Sequence, residues 1–204
     1  MSAPPSASDR AHAEKMARVQ AARARMMAGK TIEKGLLMVH TGPGKGKSTA
    51  AFGLVCRAIG HGFRVGVVQF GKGSRETGER TFFARFPDLV TWKTMGEGFT
   101  WDTQDRQRDI AAAERAWAEA QAMLADDAYD LVVLDELNIA LRYEQLAVGP
   151  VVAVLAARRP GLHVVVTGRN APAELIEAAD LVSEVVAVKH PFRAGVKPQA
   201  GIEF

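Results

Sequence analysis

Cysteine is nearly absent from this sequence, since Cys56 is the one example among 204 residues. This composition excludes an intrachain disulfide and a zinc site built from several cysteines. Cys56 falls in an apolar helical stretch, where a small residue is buried by default. A single thiol suits a reducing compartment, and we expect the protein in the cytoplasm.

The sequence also has little excess of one charge over the other and no long hydrophobic run. The net charge is +3, which is too small to indicate the basic stripe of a duplex-binding protein. No apolar run approaches the roughly 20 residues of a membrane span. The N-terminus also lacks the apolar segment of a secretory signal. We therefore expect neither a nucleic-acid partner nor a membrane partner.

The sequence does contain short apolar runs rich in β-branched residues, which are typical of buried parallel strands. They lie at 36–39, 65–68, 131–134, 164–166 and 185–188, with a weaker run at 89–92. Helical stretches at 47–59, 104–124, 144–158 and 172–179 alternate with them. This alternation predicts an α/β domain with a mostly parallel sheet and helices on both faces.

The N-terminal region differs from the rest of the chain. Residues 1–8 contain two prolines and three serines, a composition that predicts disorder. Residues 9–28 are rich in helix formers and carry a weak amphipathic stripe, with Gly29 as the expected stop. We predict an N-terminal tail and helical arm over 1–30 and one domain over 31–204.

The strongest motif is a glycine-rich run that follows the first strand and opens the first domain helix, as a P-loop requires. Its glycines turn the backbone and aim N–H groups inward, while Lys47 is expected to reach phosphate oxygens and the Ser48 hydroxyl to ligate Mg²⁺. The run departs from the general pattern at Thr41, where glycine is usual. The residues expected to bind ATP are Gly42, Pro43, Gly44, Lys45, Gly46, Lys47, Ser48 and Thr49, together with Arg57 further along the helix.

Two adjacent carboxylates, Asp135 and Glu136, end the apolar run at 131–134. Acidic residues at the carboxyl end of a buried parallel strand face the ligand crevice, where they bind Mg²⁺ directly or through water. The alternative is that one of them caps the next helix. The sequence leaves open which of the two is the direct metal ligand.

Several further runs give the chain a resemblance to the P-loop type of cob(I)alamin (corrinoid) adenosyltransferase. They occur in the family's order between about residues 30 and 204, with departures at Pro43, where asparagine is expected, and at Ser48, where threonine is common. The runs are GPGKGKSTAAFG at 42–53, RAIGHG at 57–62, VVQF at 67–70, GFTWDTQ at 98–104, VLDEL at 133–137, VKHPF at 188–192 and GVK at 195–197. Such a series is more specific than any single motif.

The resemblance implies a RecA-like P-loop fold and transfer of the 5′-deoxyadenosyl group of ATP to reduced cobalt in a corrinoid, with release of triphosphate. It assigns catalytic roles to Lys47, Glu136, Phe99 and Trp101, the two aromatics forming a wedge beneath the corrinoid. On the residues alone, a core aromatic pair is the alternative interpretation of Phe99 and Trp101, and the glycines at 96 and 98 favour a loop instead. The resemblance also implies Mg²⁺ (or Mn²⁺), a homodimer and a reduced flavoprotein or other reductase as electron donor. Cobyrinic acid diamide, cobinamide and cobalamin remain alternative substrates.

Other functions stay open on the P-loop alone, because a phosphate loop does not name a reaction. A generic ATPase or kinase would release ADP instead of triphosphate. A nucleic-acid motor would favour a stronger basic surface with interleaved aromatics. A nucleotide-gated binding module would show no turnover. Weaker candidates for ligand contacts are Gln69, Lys72, Arg80 and His190.

Overall fold

The computed structural model describes residues 6–71, 77–95 and 105–203. The N-terminal part of the protein is one long helix, α1 (Ala7–Ala28). Within these residues the chain divides after Glu33 into two compact units. Helix α1 begins with a capping box, in which Ser6 Oγ accepts from Asp9 N at 3.1 Å and the Asp9 carboxylate accepts from Ser6 N at 3.0 Å. The predicted disorder is therefore wrong for residues 6–8, because the capping box satisfies the first turn.

The second unit contains a six-stranded parallel sheet. Its strands are β1 (Leu37–Thr41), β2 (Val65–Gln69), β3 (Val90–Thr94), β4 (Leu131–Asp135), β5 (His163–Thr167) and β6 (Leu181–Glu184). The strand order is β3-β2-β4-β5-β1-β6, and every pair is parallel. The predicted fold class, an α/β fold with a parallel sheet and flanking helices, is confirmed.

Helices flank the sheet of the second unit. They are α2 (Lys47–Gly60), α3 (Gly78–Phe83), α4 (Arg106–Ala125), α5 (Leu137–Arg142), α6 (Val148–Ala156) and α7 (Ala173–Ala178), and a 3-10 turn follows at Pro191–Ala194. The sequence patterns predicted α2, α4 and α6, and Pro172 indicated the six-residue helix α7. They missed α3 and α5, which also have six residues and are too short for a clear periodicity. None of the helices in the described part of the chain is long and apolar enough to span a membrane.

The hydrophobic core lies on both faces of the sheet, and β4 illustrates why. Val132 and Leu134 belong to the cluster that includes residues of α4, α5 and α6, while Leu131 and Val133 belong to the cluster that includes residues of α2. Successive side chains of a strand point to opposite faces, so a strand covered on both sides is apolar throughout. This is the pattern that made the inner strands predictable.

The strand predicted at 185–188 is misplaced. The sixth strand is β6, which pairs with β1 and forms one edge of the sheet, and all four of its residues are exposed. An exposed edge strand needs no continuous apolar run, so the pattern selected the next residues along the chain. Those residues instead pass across the loop that follows β1.

Cys56 is exposed, contrary to the prediction. Helix α2 buries Ala51, Phe52, Val55 and Ala58, which recur at intervals of one, three and three residues along one face. Cys56 lies outside that face. The apolar stretch of sequence around it runs past the side of the helix that packs on the sheet, so an apolar neighbourhood does not bury this residue.

Candidate active site

A cleft of about 450 Å³ opens where the carboxyl ends of β1, β4 and β5 meet. This is the edge of a parallel sheet at which open α/β proteins bind their ligands. Five segments of the chain line it. They are 44–49 from the loop after β1 and the start of α2, Glu136, Ile139, Arg142 and Tyr143 around α5, Thr167–Arg169 after β5, and Ile202 and Glu203 near the C-terminus, with Glu79 of α3.

The P-loop is held by the segment that follows β6. Gly44 N donates to Val185 O at 2.7 Å, and Val185 N donates to Thr41 O at 2.9 Å. A Cβ atom at Gly44 would lie 2.7 Å from Val185 O and 2.8 Å from the backbone of Val186. Glycine is therefore required here by close contact with neighbouring backbone.

Gly46 is required for a different reason. It forms the N-cap of α2 with a left-handed φ of +114°, and its carbonyl accepts from Ala50 N at 2.8 Å. No atom lies within 4 Å of a Cβ added there, so the backbone angle alone favours glycine. The turn aims the first N–H groups of α2 at the cleft, where a helix N-terminus favours an anion.

Lys47 is folded back onto its own loop. Its Nζ donates to Gly42 O at 2.8 Å and to Gly44 O at 2.5 Å. Burial lowers the pKa of Lys47, the charge of Arg169 lowers this pKa further, and the carboxylate of Glu136 acts in the opposite direction. The ammonium group is thus held at the cleft by carbonyl oxygens that phosphate oxygens can replace.

Lys45 is already paired with an anion. Its ammonium forms an ion pair with the carboxylate of Glu203, whose side chain is 14% exposed. A turn that places Gly201 at a φ of +77° directs Glu203 to this position, with Glu203 N donating to Gln199 O at 2.8 Å. The C-terminal segment therefore brings a negative charge into the cleft beside the phosphate loop.

Thr41 replaces the usual first glycine of the motif and has a structural role. Its Oγ1 accepts from Ala171 N at 3.1 Å, and its side chain is buried. This hydrogen bond ties the start of the phosphate loop to the loop after β5. The departure from the pattern thus adds a link between two sides of the cleft.

Two arginines in the cleft were not predicted. Arg169 follows the carboxyl end of β5, and Arg142 ends α5. With the Asn170 amide oxygen facing it, Arg142 donates to Asn170 from Nη1 at 2.8 Å and from Nε at 3.2 Å. The rule that selected the residues after β4 would also have selected Arg169, whereas Arg142 required knowledge of the short helix α5.

The two adjacent carboxylates at the end of β4 have different environments. Asp135 is fully buried, and its two oxygens accept from Gln69 Nε2 at 2.9 Å and from Thr167 Oγ1 at 2.7 Å. Glu136 lines the cleft, adopts a left-handed φ of +63°, and donates its backbone N–H to Thr167 Oγ1 at 2.9 Å. Of the pair, the cleft-facing carboxylate is that of Glu136.

The residues of the cleft fit a magnesium ion bound together with phosphates. In the ranges the structure describes, no group of three or more His, Cys, Asp and Glu side chains is arranged to hold a metal alone. Mg²⁺ usually takes one or two protein oxygens and completes its shell with phosphates and water. Ser48 and Glu136 both line this cleft and carry oxygens of this kind.

Residues 33–204 match a family model described as ATP:corrinoid adenosyltransferase BtuR/CobO/CobP. The chain belongs to this family. The corrinoid adenosyltransferase of Pseudomonas aeruginosa is 56% identical over 96% of this chain and 97% of its own length. That of Sinorhizobium sp is 53% identical over 99% and 95%, and corrinoid adenosyltransferase CobA of Salmonella typhimurium is 47% identical over 84% and 87%.

Not every residue predicted for a corrinoid adenosyltransferase is found in the cleft. The residues at 44–49 and Glu136 line it, but Gly42, Pro43 and Asp135 do not. Arg57 is exposed near the end of α2 and does not line the cleft either, so its role in binding ATP remains a prediction. Phe99, Trp101 and Lys72 lie outside the described residues.

Three of the weaker candidates make hydrogen bonds within the chain, and their contacts with a ligand remain predictions. Gln69 hydrogen-bonds to Asp135 inside the sheet. His190 precedes the 3-10 turn, and its Nδ1 accepts from Phe192 N at 3.2 Å. Arg80 lies in α3, where its backbone N–H donates to Thr77 Oγ1 at 3.4 Å.

Proposed function

We propose that this chain transfers the 5′-deoxyadenosyl group of ATP to the reduced cobalt of a corrinoid and releases inorganic triphosphate. The observation that carries the proposal is membership of the ATP:corrinoid adenosyltransferase family over residues 33–204. The cleft supports it, because it combines a phosphate loop with four cationic side chains. These are Lys45, Lys47, Arg142 and Arg169.

The reaction is a displacement at the ribose C5′. Cobalt(I) supplies the electron pair of the new Co–C bond, the C5′–O bond breaks, and its electron pair leaves with the triphosphate. Negative charge therefore grows on the phosphate chain, where preorganised donors stabilise it most effectively. The N–H groups at the start of α2 and the ammonium of Lys47 have this role, with Lys47 exchanging its two carbonyl partners for phosphate oxygens.

Ser48 and Glu136 would hold Mg²⁺ (or Mn²⁺) on the phosphates, Ser48 through its hydroxyl and Glu136 directly or through water. The ion supplies charge neutralisation at the phosphate oxygens. This assignment rests on their places in the cleft lining. Asp135 has a different proposed role, because protein donors already occupy both of its oxygens.

The products of one turnover test the function. We expect the purified protein, given ATP, Mg²⁺ and chemically reduced corrinoid, to form a Co–C bond that is visible in the optical spectrum and to release triphosphate. An ATPase or kinase would release ADP or phosphate regardless of corrinoid. Release of ADP with no change in the corrinoid spectrum would contradict the proposal.

Phe99 and Trp101 are proposed to act on the corrinoid as an apolar wedge that displaces the lower axial ligand of cobalt(II). Loss of that ligand lowers the orbital that accepts the electron, so a biological donor can reduce the metal. Phe99→Ala and Trp101→Ala should therefore be slow with a flavoprotein donor and recover when cobalt(I) is made chemically beforehand. Equal impairment under both conditions would contradict the wedge.

The N-terminal helix is proposed to cover the corrinoid site of its own or a neighbouring subunit in a cytoplasmic homodimer. The support is that α1 buries none of its residues and that the family model begins after it, at residue 33. A variant lacking residues 1–30 should bind ATP normally but handle corrinoid poorly. Unchanged corrinoid kinetics would contradict this role.

A further inference from the structure

A chain of buried and partly buried hydrogen bonds links four neighbouring strands near their carboxyl ends. Trp92 Nε1 of β3 donates to Gln69 Oε1 of β2 at 3.0 Å. Gln69 Nε2 then donates to Asp135 Oδ2 of β4 at 2.9 Å. Thr167 of β5 donates to Asp135 Oδ1 at 2.7 Å and accepts from Glu136 N at 2.9 Å. The chain ends on the backbone of the carboxylate that faces the cleft.

Donor-only groups at the two ends set the directions of the bonds in this network: the indole N–H of Trp92 at one end and the backbone N–H of Glu136 at the other. An indole N–H can only donate, so the amide oxygen of Gln69 faces it and the amide nitrogen faces Asp135. Both oxygens of Asp135 must then accept, as a carboxylate ion does. The Thr167 hydroxyl therefore donates its hydrogen bond to Asp135 and accepts one from the backbone N–H of Glu136.

Thr94 is a neutral member of the same network. Its Oγ1 lies 3.2 Å from Gln69 Oε1 and 3.2 Å from Trp92 Nε1. A hydroxyl group both donates and accepts, so Thr94 fits either orientation of the Gln69 amide. Among the neighbours of that amide on β3, Trp92 alone fixes its orientation.

Glu136 needs such support, because its left-handed backbone is unfavourable for a residue with a side chain. The hydrogen bond to Thr167 holds this conformation. The glutamate side chain extends to Gly71, where an added Cβ would lie 2.7 Å from Glu136 Oε2. The backbone of Glu136 is thus held by Thr167 of β5, and its carboxylate lies close to Gly71, beyond the end of β2.

We propose that Trp92 is a positioning residue for the nucleotide site. By fixing the amide of Gln69, it makes Asp135 an acceptor at both oxygens and so directs Thr167 to hold Glu136 in the cleft. The inference rests on the proposed role of Glu136 toward magnesium-bound ATP. It also assigns Asp135 an orienting role in place of direct metal ligation.

The polarity of the network can be tested by a suppressor experiment. In Asp135→Asn the new amide has one acceptor and one donor. In one orientation, the nitrogen of the new amide faces the amide nitrogen of Gln69, and two donors meet. In the other orientation, the nitrogen of the new amide replaces the oxygen that accepts from the Thr167 hydroxyl. In Asp135→Asn combined with Trp92→Phe, the Gln69 amide can rotate, since Thr94 Oγ1 accepts from its nitrogen. The rotated oxygen then accepts from the new amide, and Thr167 recovers its role.

We expect Asp135→Asn to weaken magnesium-ATP binding about tenfold in the parent and less than about threefold in the Trp92→Phe background. Calorimetric titration measures the affinity, and thermal unfolding of the same four proteins measures stability. Trp92 also packs against Phe52 and Phe83 at centroid distances of 5.1 and 5.9 Å, so Trp92→Phe alone changes packing as well as hydrogen bonding. The test is therefore the effect of Asp135→Asn in the parent compared with its effect in the Trp92→Phe background. Thr94→Val is the matched control and should not suppress Asp135→Asn.

If the affinity losses of Asp135→Asn and Trp92→Phe simply add, Trp92 does not position the site. If the two substitutions are coupled in thermal stability but not in magnesium-ATP affinity, the network supports the fold and not the site. Suppression by Thr94→Val as well would overturn the assignment of polarity to Trp92. If Asp135→Asn does not fold, Thr167→Ser and Thr167→Val decide, since serine keeps the bridging hydroxyl and should keep magnesium-ATP affinity while valine should lose it. Glu136→Gln, measured separately, distinguishes a failed network from a failed role of Glu136.

Discussion

The two sides of the cleft are built by different means. The phosphate loop is made from consecutive residues, and its lysine hydrogen-bonds to carbonyls three and five positions away. The acidic side depends on Gln69, Asp135 and Thr167, which are separated by 66 and 32 positions. The loop therefore depends on local sequence, whereas the acidic side depends on the assembled sheet. Variants of the phosphate-binding side chains in this loop should therefore affect ATP binding alone, whereas variants that break the acidic network should affect ATP binding and folding stability together.

The largest effect is expected on the local side. Lys47→Ala removes a charge-assisted contact to the phosphates and should cost about 1.5–3 kcal/mol of ATP-binding free energy. Folding stability should change little, because the lysine binds only its own loop. Calorimetry with ATP and a thermal melt measure the two quantities. Unchanged ATP affinity together with unchanged turnover would contradict the site.

Glu136→Gln probes the acidic side without breaking its network. The variant keeps the backbone N–H that donates to Thr167 Oγ1. Folding stability should therefore be retained while activity falls. Half-maximal activity should also require more Mg²⁺ than in the parent protein, because a neutral amide is a weaker ligand for a hard cation than a carboxylate. An unchanged magnesium requirement would show that Glu136 is not a metal residue.

Thr41→Val tests the link between the two sides. It replaces the hydroxyl with a methyl group of similar size and leaves Ala171 N without its acceptor. We expect a loss of about 1–3 kcal/mol in unfolding free energy and a smaller loss in ATP affinity, as the loop that carries Arg169 becomes less fixed. Thr41→Ser keeps the hydroxyl and is the matched control. Equal behaviour of valine and serine would mean that the link has no energetic weight.

The smallest effect is expected at Glu203. Its carboxylate competes with phosphate for Lys45, so Glu203→Gln should raise ATP affinity, by less than about fivefold because Lys45 is half exposed and screened by salt. The gain should shrink as ionic strength rises. Glu79→Gln, at another glutamate of the cleft lining, is the comparison for a general charge effect. A weaker affinity in Glu203→Gln would mean that the segment supports the nucleotide.

The same division decides what the sequence could predict. The inner strands and the phosphate loop were found because their signals are contiguous: buried β-branched runs and a glycine-rich run before a helix. The different environments of Asp135 and Glu136 could not be found, since they depend on partners from β2 and β5. The edge strand β6 was misplaced because exposure removes the apolar signal, and Arg142 was missed with the short helix that carries it.

The contact between Gly44 and Val185 affects how a mutational scan of this protein should be interpreted. A scan would record Gly44 and Lys47 as equally intolerant and would group them as ligand contacts. Yet any side chain at Gly44 meets the backbone of Val185 and Val186 before ATP arrives, whereas the lysine matters through its charge. Gly46, where the space is open, should accept asparagine best among the alternatives, since asparagine tolerates the left-handed region. Sensitivity along a binding motif therefore measures packing within the apoprotein as well as recognition, and only a protein-abundance measurement beside the activity measurement separates them.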